Sequence, residues 1–178
     1  EAGTADGLSG RGIEPMITLH HFTNPRWLAE AGGWEEPETV DRFARYVERV
    51  VEALAPTCDL WCTINEPNVY AYQGYLAGIW PPGRSDLGTA MKVIRHLLLG
   101  HAAAYDAIHG IQPEARVGFP HNMQVFDPAK PASLTDRLIS ALIDRSYNRA
   151  ILTALRRGVW TPPLGFGLAR DLRNTLDW

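Results

Sequence analysis

Glu66 is the residue best placed to do chemistry. It follows the apolar run Leu60-Trp61-Cys62-Thr63-Ile64 and the amide Asn65, and it precedes Pro67. Proline cannot donate to a sheet ladder and disfavours helix in the residue before it, so a strand must stop at Glu66. In parallel α/β folds the carboxyl ends of the strands are where catalytic groups collect. A carboxylate beside a hydrogen-bonding amide, in a chain with six tryptophans, points to acid/base work on a sugar. The bland alternative is a glutamate that merely caps the turn after it.

Two further groups weigh against that alternative. His21 leaves the apolar run Ile13–His20, and Asn122 leaves the run Ala115–Phe119. If the three runs are neighbouring parallel strands, His21, Asn65-Glu66 and Asn122 reach one crevice. A neutral histidine and two amides donate and accept without adding charge, which suits sugar hydroxyls. Phe22, Trp27, Trp34, Tyr70, Tyr72, Tyr75 and Trp80 gather in the segments after strands, a density that suits a platform for the apolar face of a sugar ring. His20 reads as structural. His96, His101 and His109 fall along one helical stretch with no acidic or cysteine partner at metal spacing, so no metal is expected. Glu14 and Asp59 stand at the opening ends of their strands, away from the chemistry. No serine nucleophile elbow, phosphate loop or zinc pattern is present.

The elements that must position these groups alternate. After the first strand, Phe22 to Glu36 has no period and is expected to be a long loop; Pro37 then opens a helix with Val40, Phe43, Val47, Val51 and Leu54 on one face. Val69 to Gly88 is expected to be a second long loop. Thr89 is the expected cap of a helix whose apolar positions include Val93, Leu97, His101 and Ile108, with Gly110 ending it. Ser133, with Asp136 three residues on, caps a last long helix that runs to about Arg157 before Gly158. Residues 1–12 signal little, a frayed helix end or a disordered lead-in. Near-continuous apolar strands alternating with helices mean a parallel sheet buried on both faces, in a single domain over residues 1–178. A doubly wound sheet is the rival, but no Gly-x-Gly-x-x-Gly follows any strand.

Bulk properties narrow the partners. The chain has 178 residues, 46% hydrophobic and 21% charged, and its net charge of −3 comes without a basic stripe, which excludes a nucleic-acid partner and favours a neutral substrate. No apolar run approaches the roughly 20 residues of a membrane span, and the first residues lack the regions of a signal peptide, so a cytoplasmic location is expected. Cys58 and Cys62, about 13 Å apart along one strand, are too distant to bridge and read as reduced core residues.

These motifs together resemble glycoside hydrolase family 1, the β-glucosidase family. The matching stretches are Thr18-Leu19-His20-His21-Phe22, Thr63-Ile64-Asn65-Glu66-Pro67, Gly74-Tyr75 with Pro81-Pro82-Gly83, Val117-Gly118 with Asn122, and Asn148-Arg149. The resemblance implies that Glu66 is the general acid/base of a retaining β-glycosidase, that Asn65 binds the sugar's 2-hydroxyl, that His21 binds the glycone and that Asn122 lines the pocket. Phe22 stands where many members carry tryptophan and would form part of the glycone wall. It implies an incomplete (β/α)8 TIM barrel, approximately strands 3 to 5 with their helices, and a small-molecule β-glycoside substrate with no cofactor. The strand carrying the nucleophile is absent, so the isolated chain is expected to be inactive and the remainder of the barrel is expected in a longer chain. Asp127, the other acid near the right edge, has no evident reason to reach the site. Three strands cannot close a barrel, so the chain alone is expected to be marginal or to aggregate. A sugar-binding homologue without catalysis is the competing function, and a downstream Glu-Asn-Gly strand is what would separate the two.

Overall fold

The computed structural model describes residues 2–158, 160 and 175–177. They fall into two compact units divided between Pro120 and His121, with residues 175–177 belonging to the first.

The first unit is built on three parallel strands in the order β1-β2-β3, where β1 is Met16–His20, β2 is Leu60–Ile64 and β3 is Arg116–Gly118. The register pairs Met16 with Leu60, His20 with Ile64, Leu60 with Arg116 and Cys62 with Gly118. Trp61, Cys62, Thr63 and Ile64 of the central strand are buried, as a parallel strand covered on both faces requires. In β1, by contrast, Met16 and Thr18 are exposed. Three strands do not curl into a closed barrel, so β1 keeps one open face.

Helix α1 is Ala2–Ser9, which makes the opening residues ordered rather than a disordered lead-in. Helix α3, Glu38–Leu54, starts after Pro37 and buries Phe43, Val47, Val51 and Leu54, one face at three- and four-residue spacing. It packs against α5, Leu87–Ile111. Asp86, not Thr89, caps α5: its backbone is extended at φ −141° and its carboxylate accepts the Thr89 amide at 2.6 Å. Nor does Gly110 end it; the helix continues to Ile111, since Gly110 is not asked for a left-handed conformation. Gly100 is required for another reason. A Cβ there would lie 2.8 Å from the Trp34 ring, which is itself buried.

Below the strands, Arg116 pairs with Glu14 and with Asp59, the latter at 3.4 Å, closing the opening ends of all three strands. Gln112 accepts the Trp61 indole N–H at 3.0 Å and donates to the Cys58 carbonyl at 3.1 Å, tying the end of α5 to the start of β2. On the free side of β3, the Asp177 amide donates to the Val117 carbonyl and the Val117 amide to the Asp177 carboxylate, both at 2.9 Å. Cys58 and Cys62 are free, buried thiols.

The second unit holds α6, Leu134–Asp144, a wide π turn, Arg145–Arg149, and α7, Ala150–Arg157. Ser133 caps α6 by accepting the Asp136 amide at 3.2 Å, and Gly158, left-handed at φ 73°, closes α7. Helix α6 buries no residue and exposes Leu134, Leu138, Ile139 and Leu142. No helix among the described residues is long and apolar enough to cross a membrane.

Candidate active site

The upper ends of β1 and β2 carry the site. Backbone bonds continue past the last registered pair on both sides: Asn65 donates its amide to the His20 carbonyl at 2.9 Å, and Glu66 donates its own to the Pro120 carbonyl at 2.9 Å. Asn65 and Glu66 are therefore held from the two sides between them. Glu66 then turns left-handed, with φ 41° and ψ 64°, and caps α4, Pro67–Ala71. Pro67 fits the first helical position because its missing N–H has no partner to lose there. The amides of Val69 and Tyr70 return to the Glu66 carbonyl at 3.0 and 3.1 Å.

Only two non-glycine residues have a positive φ among the described residues, Glu66 and, at 66°, Phe22. Such a conformation costs about 1–3 kcal/mol and persists only where the surroundings over-determine it. Both lie at strand ends, one at each of two neighbouring strands.

His20 and His21 part company. His20 is buried, with its ring edge-on to Trp34, Phe43 and Tyr70. Its Nε2 lies 3.2 Å from Asn24 Oδ1 and 3.3 Å from the Trp34 indole nitrogen. One nitrogen cannot donate to the amide and accept from the indole at once, so the ring's tautomer selects between them. Asn24 Nδ2 in turn donates to the Tyr70 hydroxyl at 2.8 Å. Burial, opposed by the Asn24 bond, lowers the His20 pKa from 6.5 to about 4, and the ring is neutral at physiological pH. His21 is exposed and packs edge-on against Phe22 at 4.9 Å between ring centroids.

Phe22 also meets Trp80 at 5.0 Å. The two rings form one wall of a cleft of about 670 Å³, further lined by Asn24, Tyr70, Tyr75 and Arg84. Glu66 does not line this cleft. The loop aromatics expected to form a platform divide accordingly: Trp34, Tyr70 and Tyr75 are buried, while Trp27 and Tyr72 are exposed and Trp80 half-buried. Burial raises the pKa of Tyr70 and Tyr75, keeping both hydroxyls protonated.

Neither connecting segment is the irregular loop its lack of period suggests. Phe22 to Glu36 contains α2, Arg26–Glu30, and the 3-10 turn Gly33–Glu35, and the stretch after Glu66 contains α4 and the π turn Tyr72–Leu76. Elements of five residues or fewer are too short to show a helical period.

The remaining histidines of the long helix serve internal bonds. His96 Nδ1 meets the Trp34 carbonyl at 2.9 Å and His101 Nδ1 meets Thr63 Oγ1 at 2.8 Å. Burial lowers the His101 pKa to about 4. His109 and Tyr105 both hold Asp177, at 3.2 and 2.7 Å. No group of three His, Cys, Asp or Glu able to hold a metal ion occurs among the described residues.

Asn122 belongs to the second unit. It is half-buried and accepts the Tyr147 hydroxyl at 3.0 Å. Its segment is pinned by Asn148, which accepts the Gln124 amide at 3.0 Å and donates to the Gln124 carbonyl at 2.6 Å and to Asp144 at 2.7 Å. Asp127, on the same segment, is exposed. Asn24 and the Tyr70 hydroxyl are the polar groups that sequence reasoning passed over, and an Asn-Pro dipeptide in a segment without a period was their one signal.

The family model described as Glycosyl hydrolase family 1 matches residues 4–161. The chain belongs to that family. Within glycosyl hydrolase family 1, Beta-glucosidase A of Acetivibrio thermocellus is 36% identical over 122 residues, 68% of this chain and 27% of the relative. Beta-glucosidase A of Thermotoga maritima is 30% identical over 166 residues, 93% of this chain and 37% of the relative. The solved β-glycosidase from Pyrococcus horikoshii superimposes with a TM-score of 0.87 at 34% identity, covering 96% of this chain and 39% of its own. The chain thus spans well under half the length of each of these relatives. The family's solved members are (β/α)8 barrels, and the parallel sheet and helices seen here are a part of that architecture.

Proposed function

We propose that this chain is the acid/base-bearing part of a retaining β-glycosidase acting on β-linked glucose or a similar sugar. Its strands correspond to the third, fourth and fifth of the barrel, within one domain completed by the rest of a longer, cytoplasmic protein. The observation that carries the reading is Glu66 itself: a glutamate at the end of β2, its own amide bonded to Pro120 beyond β3 and that of Asn65 beside it to the end of β1, inside a family match that spans residues 4–161.

Glu66 protonates the leaving oxygen as a carboxylate supplied from elsewhere in the complete protein attacks the anomeric carbon. It then takes a proton from the water that releases the sugar. Asn65 holds the 2-hydroxyl, and His21 and Phe22 the glycone. Two carboxylates about 5–5.5 Å apart are needed for this chemistry, so the isolated chain lacks turnover.

The test is the purified 178-residue chain and the full-length protein on an aryl β-glucoside, each beside its Glu66→Gln variant. Turnover by the full-length protein that the variant loses is the expected result. Turnover by the short chain, lost on Glu66→Gln, would place a second carboxylate within these residues and contradict the proposal that the chain lacks one.

A further inference from the structure

We infer that Asn24 is a positioning residue for the acid step, through a closed ring of bonds that fixes Glu66 against the loop carrying His21 and Phe22. The inference rests on the roles proposed above for Glu66 and His21.

The ring is traced by following the chain from His20 through His21, Phe22 and Thr23 to Asn24. From there the Asn24 side chain donates to the Tyr70 hydroxyl at 2.8 Å. The chain then runs back from Tyr70 through Glu66 to Asn65, whose amide donates to the His20 carbonyl at 2.9 Å. Two hydrogen bonds therefore close a loop that contains both left-handed non-glycine residues among those described, Phe22 and Glu66. Neither bond is local, since Asn24 and Tyr70 are 46 residues apart.

The backbone bond is part of the sheet ladder and is fixed by β1 and β2. The side-chain bond is the adjustable member. It sits in a protected place: Tyr70 is 3% exposed and Asn24 is half-buried, with its oxygen turned to His20. Burial keeps the Tyr70 hydroxyl protonated, so the link does not titrate in the working range. Cutting it frees α4 to relax at Glu66, while Phe22 stays held by its ring contacts with His21 and Trp80. A carboxylate displaced by about 1 Å costs a proton transfer about 10²-fold while leaving sugar binding nearby largely intact.

The experiment measures kcat/KM in the full-length protein for Asn24→Ala, Tyr70→Phe and the double variant on two glucosides. An alkyl β-glucoside needs its leaving oxygen protonated; a dinitrophenyl β-glucoside does not. Each single variant is expected to lose about 10²-fold on the alkyl substrate and less than about threefold on the dinitrophenyl one. The double variant is expected to lose clearly less than the two single losses combined, since the Asn24–Tyr70 bond is removed by both. Equal losses on the two substrates, no loss on either, or additive losses would overturn the inference, because packing alone has no leaving-group dependence. Tyr70→Phe keeps the buried ring and carries the test if Asn24→Ala fails to fold. Glu66→Gln in the same assay separates the two claims: if it keeps its alkyl activity, the acid/base reading itself fails.

Discussion

The amide of Glu66 donates to the carbonyl of Pro120 at 2.9 Å, beyond the registered pairs of β2 and β3, and Glu66 takes the left-handed conformation that begins α4. The strand ladder, rather than the side chain, thus dictates an unfavourable backbone. Glutamate is retained at a position that glycine would occupy with less strain.

That strain is measurable apart from chemistry. Glu66→Gly and Glu66→Ala both remove the carboxylate, yet only glycine relieves the left-handed backbone. The glycine variant is expected to be more stable than the alanine variant by about 1 kcal/mol in denaturant unfolding. Equal stability, or the reverse order, would show that φ 41° at this residue carries no strain.

Trp34 and Gly100 give a packing prediction. Alanine at position 100 gains helix propensity worth under about 1 kcal/mol but forces its methyl group against the indole. Gly100→Ala is expected to destabilise by about 1–3 kcal/mol, read as a lower midpoint in urea. A neutral or stabilising result would mean that Trp34 moves aside freely, and with it the contact it makes to His20.

Buried histidines set the acid limit of stability. His20 and His101 have pKa values of about 4 in the folded chain, against about 6.5 when unfolded. The unfolded state therefore binds more protons between those values. Stability is intact above pH 6.5 and falls as the pH drops toward 4, by on the order of 3 kcal/mol for each ring. His101→Leu is expected to flatten the slope of the urea midpoint against pH across this window, whatever its effect at pH 7. An unchanged slope would contradict it.

How much of this was legible in the sequence differs from element to element. Pro67 and the apolar run before it placed β2 at Leu60–Ile64 without error, and the Ser133 and Asp136 pair located the start of α6, because each signal acts within a few residues. The start of α5 was misplaced by a polar neighbour, Thr89, whose amide is a donor to the true cap, Asp86. Helix α4 left no period to find. The separation of a buried His20 from an exposed His21 followed from β1 ending between them. Asn24 could not be found this way, since its partner Tyr70 lies on a different loop and sequence spacing says nothing of that distance.

Asn148 is the corresponding anchor of the second unit. It is buried and exchanges two bonds with the backbone of Gln124, acting as a short piece of ladder for the segment that carries Asn122. Asn148→Ala leaves the Gln124 amide and carbonyl without that partner and is expected to cost about 2–3 kcal/mol. Hydrogen exchange at Gln124 is expected to accelerate with it; an unchanged exchange rate there would show that the segment is held by other means.

The role of Glu66 is tested most directly by azide rescue of Glu66→Ala in the full-length protein, with a dinitrophenyl β-glucoside as substrate and the product identified by NMR. Azide is expected to accelerate turnover and to give the β-glucosyl azide, because it replaces the water that an acid/base carboxylate would activate on the face the leaving group vacated. Formation of the α-glucosyl azide would make Glu66 the nucleophile, and the absence of any acceleration would remove it from the second step altogether.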